Sequence, residues 1–181
     1  MQTGAAGVGN INVVSGTLDL ANNTVDRAGT GSGALTVANS CTLKLQGTFP
    51  ANFSTYTLAP TSLTEFYGGS QVVPAITYGH MNLTSPSGTV SKSISSPIVK
   101  VVGNLSSSVS SGSLSVTALG SLQVSGNVTF GSSVTFAASS FAHTFSGNVI
   151  NNGIINGGTG TVTFSGLNAL VSGAAGQTHL K

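Results

Sequence analysis

The chain has 181 residues, room for one domain of ordinary size or for one contiguous piece of a larger repeat array. Only 4% of its residues are charged, five Lys or Arg against three Asp or Glu, and the net charge is +2. That leaves no clustered cations to displace counterions, which excludes nucleic acid as a partner. The apolar share of 39% separates the chain from disordered polar sequences, and its coat must then be Ser, Thr, Asn and Gly. Such a surface suits an extracellular or cell-surface protein.

From the beginning, Met1-Gln2-Thr3-Gly4-Ala5 lacks the basic and apolar regions of a signal peptide, so a removed leader or an internal fragment is expected, and the fragment is favoured. Helical spacing is nearly absent. Apolar residues alternate instead, first as Leu18 and Leu20, then Leu35 and Val37, then Leu43 and Leu45. Cys41 stands alone, which rules out an intramolecular disulfide and reads as a small buried hydrophobe. Residues 49–86 differ in texture. They hold Pro50, Pro60, Pro74 and Pro86 together with Phe49, Phe53, Tyr56, Phe66, Tyr67 and Tyr78. Alternation then resumes at Leu114 and Val116, Leu122 and Val124, Val128 and Phe130, Val134 and Phe136, and Val162 and Phe164. No run of about 18 apolar residues exists to span a membrane as a helix.

The spacing of these pairs predicts the fold. Leu114, Leu122, Val128 and Val134 open pairs six to eight residues apart, one short strand plus a tight corner. On a longer scale Leu43, Leu63, Leu83, Leu105, Val124, Phe145 and Phe164 recur every 19 to 22 residues. Three short strands in about 20 residues make one coil of an all-β parallel β-helix, or β-solenoid, and its expected hand is right. About nine coils at ~4.8 Å each give a rod roughly 40 Å long. One solenoid over 1–181 is expected, with units 1–48 and 87–181 flanking a Pro- and aromatic-rich junction at 49–86. Gly16, Asn22, Asn23, Gly47, Gly103, Asn104, Gly126, Asn127 and Gly147 are expected at corners that need positive φ.

The runs GTLDLANNTVDR (16–27), GALTVANSCTLKLQGTFPANFSTYTL (33–58), TSLTEFYGGSQVVPAITYGHMNL (61–83) and NNGIINGGTGTVTFSG (151–166) resemble a β-solenoid repeat module of large secreted proteins of Bacteroidetes-type bacteria. The resemblance implies an adhesin-like stalk or filamentous array on the cell surface, released by type IX secretion. It names no catalytic residues. The sorting domain usual at the C-terminus of such proteins is missing from this sequence, which again fits a fragment.

Chemistry-bearing residues are few. Asp19, Asp26 and Glu65 are expected at solvated edges, Asp26 beside Arg27, with no two acids sharing a coil position. His80, His143 and His179 do not follow the coil period and are expected at corners or exposed. No Gly-x-Ser-x-Gly elbow or phosphate loop is present, Gly29 to Gly33 lacking the required Lys and helix. The chain is therefore read as non-enzymatic, with no catalytic residues, metal site or cofactor. Ser113, Ser115, Ser121, Thr129, Thr135, Thr161 and Thr163 form outward rows, read as ordinary solvation. Tyr56, Tyr67 and Tyr78 are the candidate glycan contacts, against a competing reading in which they fill a wider core with each hydroxyl reaching the surface. The function expected is a structural or adhesive module, a stalk or spacer. The alternatives are a self-assembling extracellular filament, its ends at Met1 and Lys181 pairing head to tail, and a carbohydrate-binding surface module. Partners would be neighbouring repeats, further copies, or extracellular glycans.

Overall fold

A computed structural model describes residues 9–27, 33–167, 170–173 and 178–179, and of the last two only the backbone. Met1, Lys181 and most of the Gly29 to Gly33 stretch lie outside the described residues. Every regular element described is a strand. The first coils carry two strands each: β1 (Ile11–Val13) and β2 (Thr17–Asp19), β3 (Ala34–Val37) and β4 (Thr42–Leu45), β5 (Thr55–Leu58) and β6 (Leu63–Phe66). From Gln71 the coils carry three. These are β7 (Gln71–Val73), β8 (Thr77–Tyr78) and β9 (His80–Ser85), then β10 (Thr89–Ile94), β11 (Ile98–Val101) and β12 (Leu105–Val109). Next come β13 (Ser113–Ala118), β14 (Ser121–Val124) and β15 (Val128–Phe130), followed by β16 (Val134–Ala137), β17 (Ala142–Phe145) and β18 (Val149–Asn151). The series closes with β19 (Ile154–Asn156), β20 (Thr161–Phe164), β21 (Val171–Gly173) and β22 (Thr178–His179).

Each strand pairs in parallel with its counterpart one coil away, which makes the chain a β-solenoid of about seven turns and ~21 residues per turn. One face is an eight-stranded sheet, β2-β4-β6-β9-β12-β15-β18-β21. The second is a six-stranded sheet from β7 to β22, and the third a five-stranded sheet from β8 to β20. β1, β3 and β5 form a separate three-stranded sheet ahead of β8. The described residues make fewer turns than the nine expected of the whole chain, and coil length varies, from 17 residues between Leu63 and His80 to 25 between Thr17 and Thr42.

Alternation explains the core. Leu35, Val37, Leu43, Leu45, Leu122, Val124, Val128, Phe130 and Phe136 are buried, each expected from its period-two spacing. Cys41 is buried as a small hydrophobe. Aromatic rings continue the stack, Phe130 lying 5.4 Å from Phe136 and Phe145 lying 6.1 Å from Phe164.

The long-range series needs correction. Leu43 stacks on Thr64, Met81 and Leu105, so Leu63 is one residue out of that column. Val124, Phe145 and Phe164 do stack on one another, but on the five-stranded face. The corner expectation also changes. Gly16 has positive φ, but Gly103, Gly126 and Gly147 are selected by close stacking instead. A Cβ on Gly126 would lie 2.4 Å from the Gly103 carbonyl oxygen, and one on Gly147 would lie 2.4 Å from that of Gly126. Asn104 and Asn127 serve by hydrogen bonding. The Asn104 side-chain oxygen accepts from the Asn127 N–H at 2.9 Å, and that of Asn127 from the Asn148 N–H at 2.9 Å.

Within 49–86 the strands still join the eight-stranded sheet through β6 and β9. On the other two faces the ladders restart, at β7 and at β8. Pro74 directly follows the first of these restarts, and it has no N–H to give to a ladder.

Candidate functional site

The three tyrosines meet different fates. Tyr78 is fully enclosed, its ring packed on Phe66 at 6.1 Å and on Phe49 at 6.2 Å, so it presents no face to a sugar. Its hydroxyl donates to the Pro74 carbonyl at 3.1 Å, and burial pushes its pKa well above 10.0. Tyr56 is partly buried against Phe49 and Phe53, and its hydroxyl donates to the Pro50 carbonyl at 3.1 Å. Both fill the wider core behind the proline segment, though the hydroxyls end on carbonyls. Tyr67 alone belongs to an outward cluster.

That cluster corrects the reading of the acids. Asp19, Lys44 and Glu65 stand in one outward column of the eight-stranded sheet, on β2, β4 and β6. Asp19 and Glu65 therefore share a coil position, two strand spacings or ~9.6 Å apart. Lys44 lies between them, its Nζ 3.3 Å from the Glu65 carboxylate and 4.9 Å from the centre of the Tyr67 ring. The Tyr67 hydroxyl donates to Asp19 at 2.8 Å, as does the Ala21 N–H. The Ala21 N–H first, and then the tyrosine hydroxyl, hold the Asp19 carboxyl below its ordinary value. The same bond raises the Tyr67 hydroxyl. Asp19 is thus a fixed anion rather than a proton donor. Asp26 accepts from the Asn52 side-chain amide at 2.6 Å.

Histidines divide as well. His80 is the first residue of β9 and half-buried, its Nδ1 accepting from the Asn104 N–H at 2.9 Å. The side chain of His179 lies outside the described residues. His143 is not a corner residue but is fully buried on β17, its ring 5.1 Å from Phe136. Its Nδ1 accepts from the Leu122 N–H at 3.1 Å, so Nε2 carries the hydrogen and donates to the Ala138 carbonyl at 2.9 Å. Among the described residues no three of His, Cys, Asp and Glu come together.

Burial holds the His143 imidazole below its ordinary 6.5. Below pH 6.5 the unfolded chain therefore takes up a proton that the folded chain refuses. Stability is expected to fall as pH drops through 6.5, levelling once the folded imidazole also titrates. Urea midpoints between pH 7 and pH 5 check this. The wild type should decline, and His143→Gln should be flatter although less stable throughout.

A second buried polar group went unnoticed in the sequence. Lys92 points into the solenoid from β10 and is fully enclosed. Its ammonium donates to the Gly68 carbonyl at 2.9 Å, the Gly69 carbonyl at 2.8 Å and the Gln71 side-chain oxygen. Desolvation lowers its pKa to about 8.

Two grooves of about 510 Å³ each mark the surface. One runs beside the edge strand β7 and is lined by Gln46, Thr48, Phe49, Val72 and Pro74 among others. The other crosses the eight-stranded sheet along the solenoid axis, from Leu63 and His80 to Asn148 and Ile150. The expected hydroxyl rows do not share one face: Ser113, Ser115 and Thr135 lie on the six-stranded sheet, Ser121, Thr161 and Thr163 on the five-stranded one, and Thr129 on the eight-stranded one.

Comparison with known protein families, with curated proteins and with solved structures finds no match for this chain.

Proposed function

We propose that this chain is a structural and adhesive module of a secreted or cell-surface protein, a stalk or spacer that carries an uncharged polar coat. The observation behind this reading is the eight-stranded parallel ladder backed by one apolar core. Coils touch their neighbours through parallel backbone ladders, continuous on the eight-stranded face, and through stacked side chains, so length is gained by adding coils. From Asn82 onward the outward column of that ladder reads Asn82, Ser106, Thr129, Ile150 and Ser172. Such a surface is hydrated without being charged, and it suits contact with glycans or with further repeats. The reading needs no metal or cofactor and no catalytic step.

Antibodies raised against the folded chain test the placement. Intact, unpermeabilised source cells, or their medium, should be labelled. Labelling that appears only after permeabilisation would overturn the proposal.

A further inference from the structure

We propose that the axial groove on the eight-stranded sheet binds an extended, uncharged glycan, with successive sugar residues lying across successive coils. The inference rests on the adhesive half of the function proposed above. It moves the glycan site away from the tyrosines of the proline segment.

Three observations carry it. The first is a row of identical donors. Asn104, Asn127 and Asn148 stand at the same corner of three consecutive coils, all exposed and all lining the groove. Each turns its side-chain oxygen to a backbone N–H of the next coil, at Asn127, Asn148 and Leu170 respectively, at 2.9 to 3.0 Å. That bond fixes the amide plane and commits the oxygen. The Nδ2 group is left with two hydrogens for a ligand, once per coil. Beside this row runs a second one, Asn82, Ser106 and Thr129, in which the Ser106 hydroxyl donates to the Asn82 side-chain oxygen and offers its own oxygen as an acceptor.

The second observation is the period. Stacked coils repeat every ~4.8 Å along the axis. An extended polypeptide repeats its side-chain pattern every two residues, or ~6.7 Å, and would lose register within two coils. The strands beneath the groove are central in their sheet, so they also offer no free edge for an added strand. An extended glycan advances by a step close to one coil per sugar and carries hydroxyls at every step.

The third is the chemistry of the lining, which contains no Asp, Glu, Lys or Arg. Without a lysine or arginine in the lining a polyanion would find no fixed counter-charge, and a neutral polyol brings no charge to be left unpaired. Ile150, 43% exposed, gives an apolar surface for the C–H face of a sugar ring at one end. At the other end the lining is Leu63 and His80, and the outward column continues from Asn82 to Glu65, which is paired with Lys44.

The test is a titration of the full isotope-labelled chain with cellohexaose, a neutral β-linked hexasaccharide, and with hexagalacturonate, an acidic one of equal length. Cellohexaose should shift the side-chain amide signals of Asn104, Asn127 and Asn148. Asn127→Asp keeps the oxygen that accepts from Asn148 but loses the Nδ2 donor, and should weaken binding about tenfold with the fold intact. Thr129→Trp, which fills the groove from an outward position, should abolish it. Amide signals unmoved at millimolar cellohexaose, shifts confined to Tyr56 and Tyr67, tighter binding of hexagalacturonate, or wild-type affinity in Asn127→Asp would each overturn the site. If antibody labelling places the chain outside the cell while the amide signals stay still, this site fails and the structural module stands.

Discussion

Phe136→Ala is expected to lower the unfolding free energy by about 3–5 kcal/mol. Phe136 is fully buried on β16, where its ring stacks on Phe130 at 5.4 Å and an interplanar angle of 12°. Phe145 lies 5.9 Å away and His143 meets the ring edge-on at 5.1 Å. β16 is paired on both sides, to β13 and to β19, so the backbone is held at fixed spacing and the vacated volume cannot collapse. The cost should therefore sit at the upper end of the transfer-plus-cavity range. Phe164→Ala, at a partly buried position near the far end of the same stack, should cost only about 1–2 kcal/mol. Urea unfolding of both variants checks the contrast. Equal losses would mean that burial does not grade along the stack as described.

Lys92→Ala is expected to cost about 3 kcal/mol at neutral pH, since it removes a four-carbon stem from the core and leaves three oxygens without their shared donor. Lys92→Met restores the volume and should recover part of that loss. Alkaline titration gives a sharper signature. The unfolded lysine keeps its proton to its ordinary 10.5, while the folded one releases it at about 8. Between these values the unfolded chain binds more protons, so wild-type stability should rise as pH rises from about 8. Tyr78 acts in the opposite sense. Its buried hydroxyl stays protonated where the unfolded tyrosine, at 10.0, ionises, so stability should fall above that pH. A maximum near pH 10 is expected in the wild type, and Lys92→Met should show the fall without the preceding rise. Denaturant midpoints from pH 7 to pH 11 measure both limbs.

Much of this was legible in the alternation. Pairs such as Leu43 and Leu45 or Val128 and Phe130 name the inward face, because a strand's side chains alternate and a narrow interior admits only one parity. The same rule held information that was passed over. Lys92 shares parity with Val90 and Ile94, and His143 with Phe145, so both polar residues were written into inward positions. Type outweighed position: a lysine is expected outside, and the acceptors that keep it inside come from Gly68, Gly69 and Gln71, one coil earlier. Tyr78 follows the same logic, one residue after the outward Thr77.

Longer range was harder to read. A fixed period accumulates error when one coil takes 17 residues and another 25, which is why Leu63 was placed in the column that Thr64 occupies. For the same reason Asp19, Lys44 and Glu65 did not look like neighbours, although they are in register. Of the Asn104, Asn127, Asn148 row, Asn104 and Asn127 were legible as corner residues, and Asn148 was not. Its role depends on an oxygen meeting the next coil's N–H, and no single-coil pattern displays that. The groove depends on the same stacking.

The chain is a mechanical stack of coils, each held chiefly by its neighbours. Held at its two ends and pulled in a single-molecule force experiment, it should give way coil by coil. Each step should release about 70 Å, the extended length of ~21 residues. Release of the whole chain in one event, or in pieces unrelated to the coil length, would contradict it.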